Sequence, residues 1–101
     1  MERTGKTYVI VTDDGPNNKD VFLSWTNEDG GYYTTVDDIQ DVNVFDFHAS
    51  VEAATDRAND ANSGTLFGWP APMKIMELHN FNEAYFDGAY PELTTVTTIT
   101  F

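Results

Sequence analysis

Between Phe47 and Asn62 the apolar residues Phe47, Val51, Ala54, Ala58 and Ala61 recur at alternating spacings of four and three, the period of one helical face. No other stretch of the chain carries so clear a helical stripe, and its surroundings read as strands and turns. Asp46 is the expected N-cap, and Gly64 the expected terminator. The small alanines of the stripe let such a helix lie close against a sheet. Glu52, Asp56 and Asp60, four residues apart, align along a neighbouring face, where only Arg57 offsets them.

Before this helix, Thr7 to Val11 (T-Y-V-I-V) is a β-branched run that stops at a turn-forming cluster, Asp13-Asp14-Gly15-Pro16-Asn17-Asn18. Asp20 to Thr26 (D-V-F-L-S-W-T) is a second strand, and Asp29-Gly30-Gly31 supplies the positive φ for a hairpin into Tyr32 to Val36. The three strands read as a meander, with Trp25 and Phe22 expected on the face of the second strand opposite Leu23. Asp37 to Asp46 suits a short strand or an extended crossing.

After the helix, Leu66 to Pro72 is an aromatic loop whose prolines bar continuation. Met73 to Leu78 follows as a strand, with Met73, Ile75 and Glu77 on one face and Lys74, Met76 and Leu78 on the other. Phe81, Tyr85, Phe86 and Tyr90 cluster in the next segment. Leu93 to Phe101, rich in threonine and free of charge, has strong β propensity and is sticky if left as an unpaired edge. The expected fold is one α+β domain over residues 1–101, an antiparallel sheet of four to five strands with one main helix on it.

A chain of 101 residues has room for a modest core but not for a separate functional lobe. Its 41% hydrophobic content and 14% aromatics argue that it folds despite its acidity. The absence of cysteine removes disulfides, thiolate metal sites and thiol nucleophiles, and fits a reducing compartment. Met1 to Lys6 have no apolar run behind their charges, so neither a signal peptide nor a membrane span is expected, and the expected location is the cytoplasm.

Catalytic motifs are missing. His48 and His79, the two histidines, lack a partner set such as H-E-x-x-H and read as ordinary histidines. Asp13, Gly15 and Asn17 resemble the opening of a calcium loop, yet Lys19 and Ser24 stand where oxygen ligands are required, so a turn is the better reading. Asp37, Asp38 and Asp41 suit Mg²⁺, but no phosphate-binding Gly-rich loop accompanies them. A carboxylate pair of glycosidase type would arise by accident among so many acids, and so small a core leaves little room for a deep pocket that excludes water. Neither catalysis nor a metal or organic cofactor is expected.

What remains is charge: seventeen Asp and Glu against five Lys and Arg give a net charge of −12. Twelve of those acids lie between residues 13 and 60, opposed there only by Lys19 and Arg57. Such a chain repels nucleic acid and anionic membrane and attracts basic surfaces or cations. Carboxylates about 5–6 Å apart along a helix can imitate a phosphate backbone and engage Lys/Arg grooves that otherwise bind DNA or RNA. A plain solubilising charge, or a halophilic composition, produces the same count.

The order of K-T-Y-V-I-V-T, F-L-S-W, Y-Y-T-T-V-D-D-I-Q-D-V-N-V-F-D, the helix V-E-A-A-T-D-R-A-N and the strand M-K-I-M-E-L resembles the small acidic α+β accessory proteins of bacteriophages that infect Gram-positive hosts. The likeness spans roughly residues 6 to 79 as a pattern of elements and contains no diagnostic motif. It implies a stoichiometric inhibitor in the host cytoplasm, of the nucleic-acid-mimic type that includes anti-CRISPR and anti-restriction proteins. The expected partner is then a basic nucleic-acid-binding protein, met by Asp37, Asp38, Asp41, Glu52, Asp56 and Asp60, with Trp69 and Tyr90 as aromatic anchors. Dimerisation is allowed but not required. The rival expectation is a phage structural or assembly protein that associates through the Leu93 to Phe101 edge or an aromatic surface.

Overall fold

The computed structural model describes residues 7–13, 20–66, 68–69, 71–79 and 92–101. Five antiparallel strands form one sheet: β1 (Thr7–Asp13), β2 (Asp20–Thr26), β3 (Tyr32–Val36), β4 (Met73–His79) and β5 (Glu92–Ile99), in spatial order β3-β2-β1-β4-β5. One helix, α1 (Val51–Ser63), packs on it, and the expected α+β class is what the chain adopts. The β2–β3 hairpin closes through positive φ at Asp29, Gly30 and Gly31, as Asp-Gly-Gly foretells. The clusters at 14–19 and 80–91, including Phe81, Tyr85, Phe86 and Tyr90, lie outside the described residues.

β1 is the central strand, and its run of strand-forming residues, β-branched except for Tyr8, is buried from Thr7 to Thr12. Tyr8 and Ile10 point to one face with Leu23, Met73 and Ile75, where Ala54, Ala58 and Ala61 of α1 cover them. The three alanines are essentially inaccessible, so the helix backbone lies close to the sheet. Val9 and Val11 point to the other face with Phe22 and Leu78, where Ile39 and Val42 cover them. The ambiguous segment 37–46 is therefore a covering layer, built on two short 3-10 turns, Ile39–Asp41 and Val44–Asp46, rather than a strand. Side chains such as Ile10, Leu23 and Ile75, at most 1% exposed, each contribute about 1.5–3 kcal/mol of apolar burial.

Two expectations need correction. The helix starts at Val51, not near Phe47: Ser50 is the N-cap, its Oγ accepting from the Ala53 N–H at 3.1 Å. Asp46 cannot cap it, because Phe47 is extended and His48 exchanges two 2.8 Å backbone hydrogen bonds with Tyr8 before the helix begins. The terminator is Gly64 as expected. Trp25 shares the face of Leu23, since residues two apart along a strand point the same way; Phe22 alone lies opposite.

β5 carries one extra residue. Ile75 pairs with Thr97 while Met76 pairs with Thr95, which leaves Val96 as a bulge. The even spacing of Leu93 and Ile99 would put both on one face of a regular strand. With the bulge between them, Leu93 packs on the Val9 side and Ile99 on the Ile10 side.

Candidate functional site

The sheet opens at one end. β1 and β2 pair directly only at Val11–Phe22, Thr12–Val21 and Asp13–Asp20, and beyond this the chain from Asn43 to His48 stands between them. The Asn43 N–H donates to Ser24 Oγ at 2.8 Å, and its Nδ2 donates to the Trp25 carbonyl at 3.0 Å. The Trp25 N–H donates to Asp46 Oδ2 at 2.7 Å. Side chains thus supply partners that a neighbouring strand would otherwise provide, as buried backbone groups require.

Asp46 is 1% exposed and has a second partner: Arg57 Nε, from the middle of α1, donates to its Oδ1 at 2.8 Å. The Arg57 guanidinium lies 4.8 Å from the Tyr33 ring centroid and 5.8 Å from that of Trp25, within cation–π range. Those rings are direct cross-strand partners in edge-to-face contact, with centroids 4.9 Å apart. The Tyr33 hydroxyl donates to Asp60 Oδ2 at 2.5 Å, which closes a chain Asp46–Arg57–Tyr33–Asp60 from the interior to the surface. Burial works against the Arg57 charge, but the hydrogen bond and negative charge of Asp46 outweigh it and hold the pKa above its ordinary value. Burial, reinforced by the bond to Asp60, likewise raises the Tyr33 phenol well above its usual range.

An open groove of about 880 Å³ runs over this chain, lined by Trp25, Tyr33, Phe45, His48, Asp56 and Asp60 among others. It adjoins a second cavity of about 530 Å³ toward the C-terminal end of α1, and the two share Trp25, Tyr33 and Asp60. Phe45 is 73% exposed and Val44 60% exposed, although their turn is fixed by the Asn43 side chain, whose Oδ1 accepts from the Phe45 N–H at 3.0 Å. His48 is 8% exposed, and its Nε2 has no hydrogen-bond partner among the described residues. Burial lowers its pKa, with Arg57 adding to the effect and Asp46 opposing it.

The expected partner-binding residues are divided by the sheet. Glu52, Asp56 and Asp60 are exposed on α1, and Asp56 and Asp60 reach the groove. Asp37, Asp38 and Asp41 belong to the covering segment on the opposite face, where the Asp38 carboxylate accepts from the Gln40 N–H at 3.1 Å. The two acidic triads do not form one continuous stripe. Trp69 is half-buried against the α1 side of the core: its N–H donates to Asn62 Oδ1 at 2.6 Å and its indole to Thr12 Oγ1 at 3.1 Å. It also lines the second cavity. Tyr90 lies outside the described residues.

Sequence reasoning missed Asp46, Trp25, Tyr33, Phe45 and His48 as one site. The legible signals were the parity of Trp25 with Leu23 and the one arginine of the helix. His79 sits apart from the groove, with Nε2 2.9 Å from Thr94 Oγ1 and 3.6 Å from Glu77. Among the described residues no three His, Asp or Glu side chains gather in a way that could hold a metal ion, and no helix is long and apolar enough to cross a membrane. Comparison with known proteins finds no matching family model, no matching curated protein and no matching solved structure.

Proposed function

We propose that this protein is a non-enzymatic acidic binding protein that occupies the basic, nucleic-acid-binding surface of another protein, in the manner of phage-encoded inhibitors of host nucleases or CRISPR effectors. The observation that carries this reading is the fate of Arg57. It is the one cation of α1, and it turns inward to Asp46 and the faces of Tyr33 and Trp25 instead of neutralising Glu52, Asp56 and Asp60. Those three carboxylates succeed one another at about 6 Å along the helix axis and present negative charge to a Lys/Arg surface, engaged from within only at Asp60 by the Tyr33 hydroxyl. Binding by such a face replaces the counterions of the basic partner and weakens steeply with salt.

The test is capture from a bacterial lysate at about 0.1 M and about 0.5 M salt, which bracket weak and strong screening, followed by a gel-shift assay on the captured protein. A nucleic-acid-binding protein that is retained only at low salt and loses its DNA or RNA to this chain is the expected result. Glu52→Lys/Asp56→Lys/Asp60→Lys should abolish capture without unfolding the domain; undiminished capture would remove α1 as the binding face.

A second reading, an assembly protein, draws on β5. Among the described residues this strand is paired on one side only, and from Leu93 to Phe101 it is uncharged and mostly exposed. Association through that edge survives high salt, which separates the two readings.

A further inference from the structure

We infer that the groove between the Val44–Asp46 turn and α1 docks a segment of a partner protein in which an apolar side chain neighbours a Lys or Arg, the apolar group packing on Phe45 and Trp25 and the cation meeting Asp56 and Asp60. The inference deepens the reading of the protein as an acidic binder and rests on it, because it names the contact point and the chemistry of the bound segment.

Phe45 and Val44 are among the most exposed large apolar residues of the described chain, yet their turn is held by several hydrogen bonds. Hydrogen bonds run from it to Ser24, to the Trp25 backbone and within the turn through Asn43. An exposed aromatic on a preorganised turn loses little conformational entropy on binding, which is the property of an interface anchor. It stands beside a groove whose size suits side chains of a bound segment.

The charge of the groove selects the occupant. Asp56 and Asp60 are exposed in its wall, whereas the guanidinium of Arg57 is already engaged by Asp46 on the inner side. An acidic or neutral apolar segment would desolvate those carboxylates with only the Tyr33 hydroxyl on Asp60 to compensate them. A cation compensates them. His48 supplies a second polar element: a ring more than nine-tenths buried, lining the groove, with Nε2 unpaired among the described residues. Burial lowers the pKa of that ring, so it adds no positive charge to the groove that would oppose a bound cation.

The test is an NMR titration of the ¹⁵N-labelled protein with a short synthetic peptide of alternating Leu and Arg, beside peptides of alternating Leu and Glu and of Arg alone. The Trp25 indole and the amides of Phe45, Asp56 and Asp60 should shift saturably with the Leu/Arg peptide and stay in place with the Leu/Glu peptide. Phe45→Ser should weaken binding at least about ten-fold, as loss of an aromatic anchor does, with the melting temperature unchanged because the ring is solvent-exposed. Failure of the Leu/Arg peptide to bind, shifts confined to Glu52 or to residues 37–41, or equal affinity of Phe45→Ser would overturn the inference. Glu52 lies outside the groove, so salt-sensitive binding of the Arg peptide that is lost in Glu52→Lys, with a silent groove, would leave the acidic-face reading standing alone. Conversely, saturable groove binding with no basic protein captured from lysate would remove the inhibitor reading and keep the groove.

Discussion

Asp46→Ala tests the centre of the structure directly. The wild-type carboxylate accepts the Trp25 N–H at 2.7 Å and Arg57 Nε at 2.8 Å while 1% exposed. Truncation orphans a part-buried backbone N–H, which costs about 1–3 kcal/mol. It also breaks an ion pair whose full loss in a dry interior costs about 3–5 kcal/mol. The Arg57 side chain retains 27% exposure, so water compensates much of that second loss, and we discount it to about 1–2 kcal/mol. The total, about 3 kcal/mol, is a large part of the about 5–15 kcal/mol that holds a domain together. At about 4–8 °C per kcal/mol it lowers Tm by about 12–24 °C. Urea unfolding followed by circular dichroism measures it as a lower midpoint at unchanged slope. Asp46→Asn should lose less, because its carbonyl can still accept from Trp25 while the charge facing Arg57 is gone. A double-mutant cycle with Arg57→Ala should give a coupling of at least about 1 kcal/mol. A loss below about 1 kcal/mol for Asp46→Ala, or additivity with Arg57→Ala, would refute the view that this carboxylate joins the opened sheet to α1.

Gly31→Ala should destabilise by about 1–3 kcal/mol, because φ is +96° and an added Cβ would stand 2.4 Å from Trp25 Cζ2; thermal unfolding reads the change. His48 titrates lower in the folded chain than its ordinary value of 6.5. Its contribution to stability is therefore complete above that value and falls as pH drops through it, where the unfolded chain binds the proton first; His48→Gln should flatten this part of the stability profile. The Tyr33 phenol, raised above its ordinary value of 10.0, contributes stability that is present below that pH and is lost as pH rises beyond it. Ultraviolet difference spectra should show a tyrosine that ionises only above the ordinary range, and Tyr33→Phe should abolish that step. Ser50→Ala removes the cap of α1 and should cost about 1 kcal/mol, whereas Phe47→Ala should leave the helix start unchanged.

Much of the architecture was legible because its signals are local. A β-branched run needs no distant partner to favour extended backbone, Asp-Gly-Gly is selected by its own φ angles, and an alanine stripe at helical spacing declares which side will be covered. Asp46 misled for the same reason: an aspartate a few residues ahead of an apolar stripe is a good local cap, and nothing nearby in the chain announces a contact with Arg57 or the Trp25 backbone. The acidic triads were similarly countable but not placeable. Nothing in the run Asp37 to Asp60 shows that its two ends cover opposite faces of a sheet.

The strands, the single helix, the meander of the first three strands and the excess of negative charge can all be read from the residues alone, because each is a property of a short window or of composition. The packing of the layers parts β1 from β2, brings Asp46 and Arg57 together across the gap, and leaves Phe45 exposed beside Asp56 and Asp60. The bulge at Val96 likewise turns Leu93 and Ile99 to opposite faces. The physical reason is the range of the interactions: propensity and periodicity act between neighbours in the chain, whereas a buried carboxylate is satisfied by whatever donors the packed layers bring within about 3 Å of it.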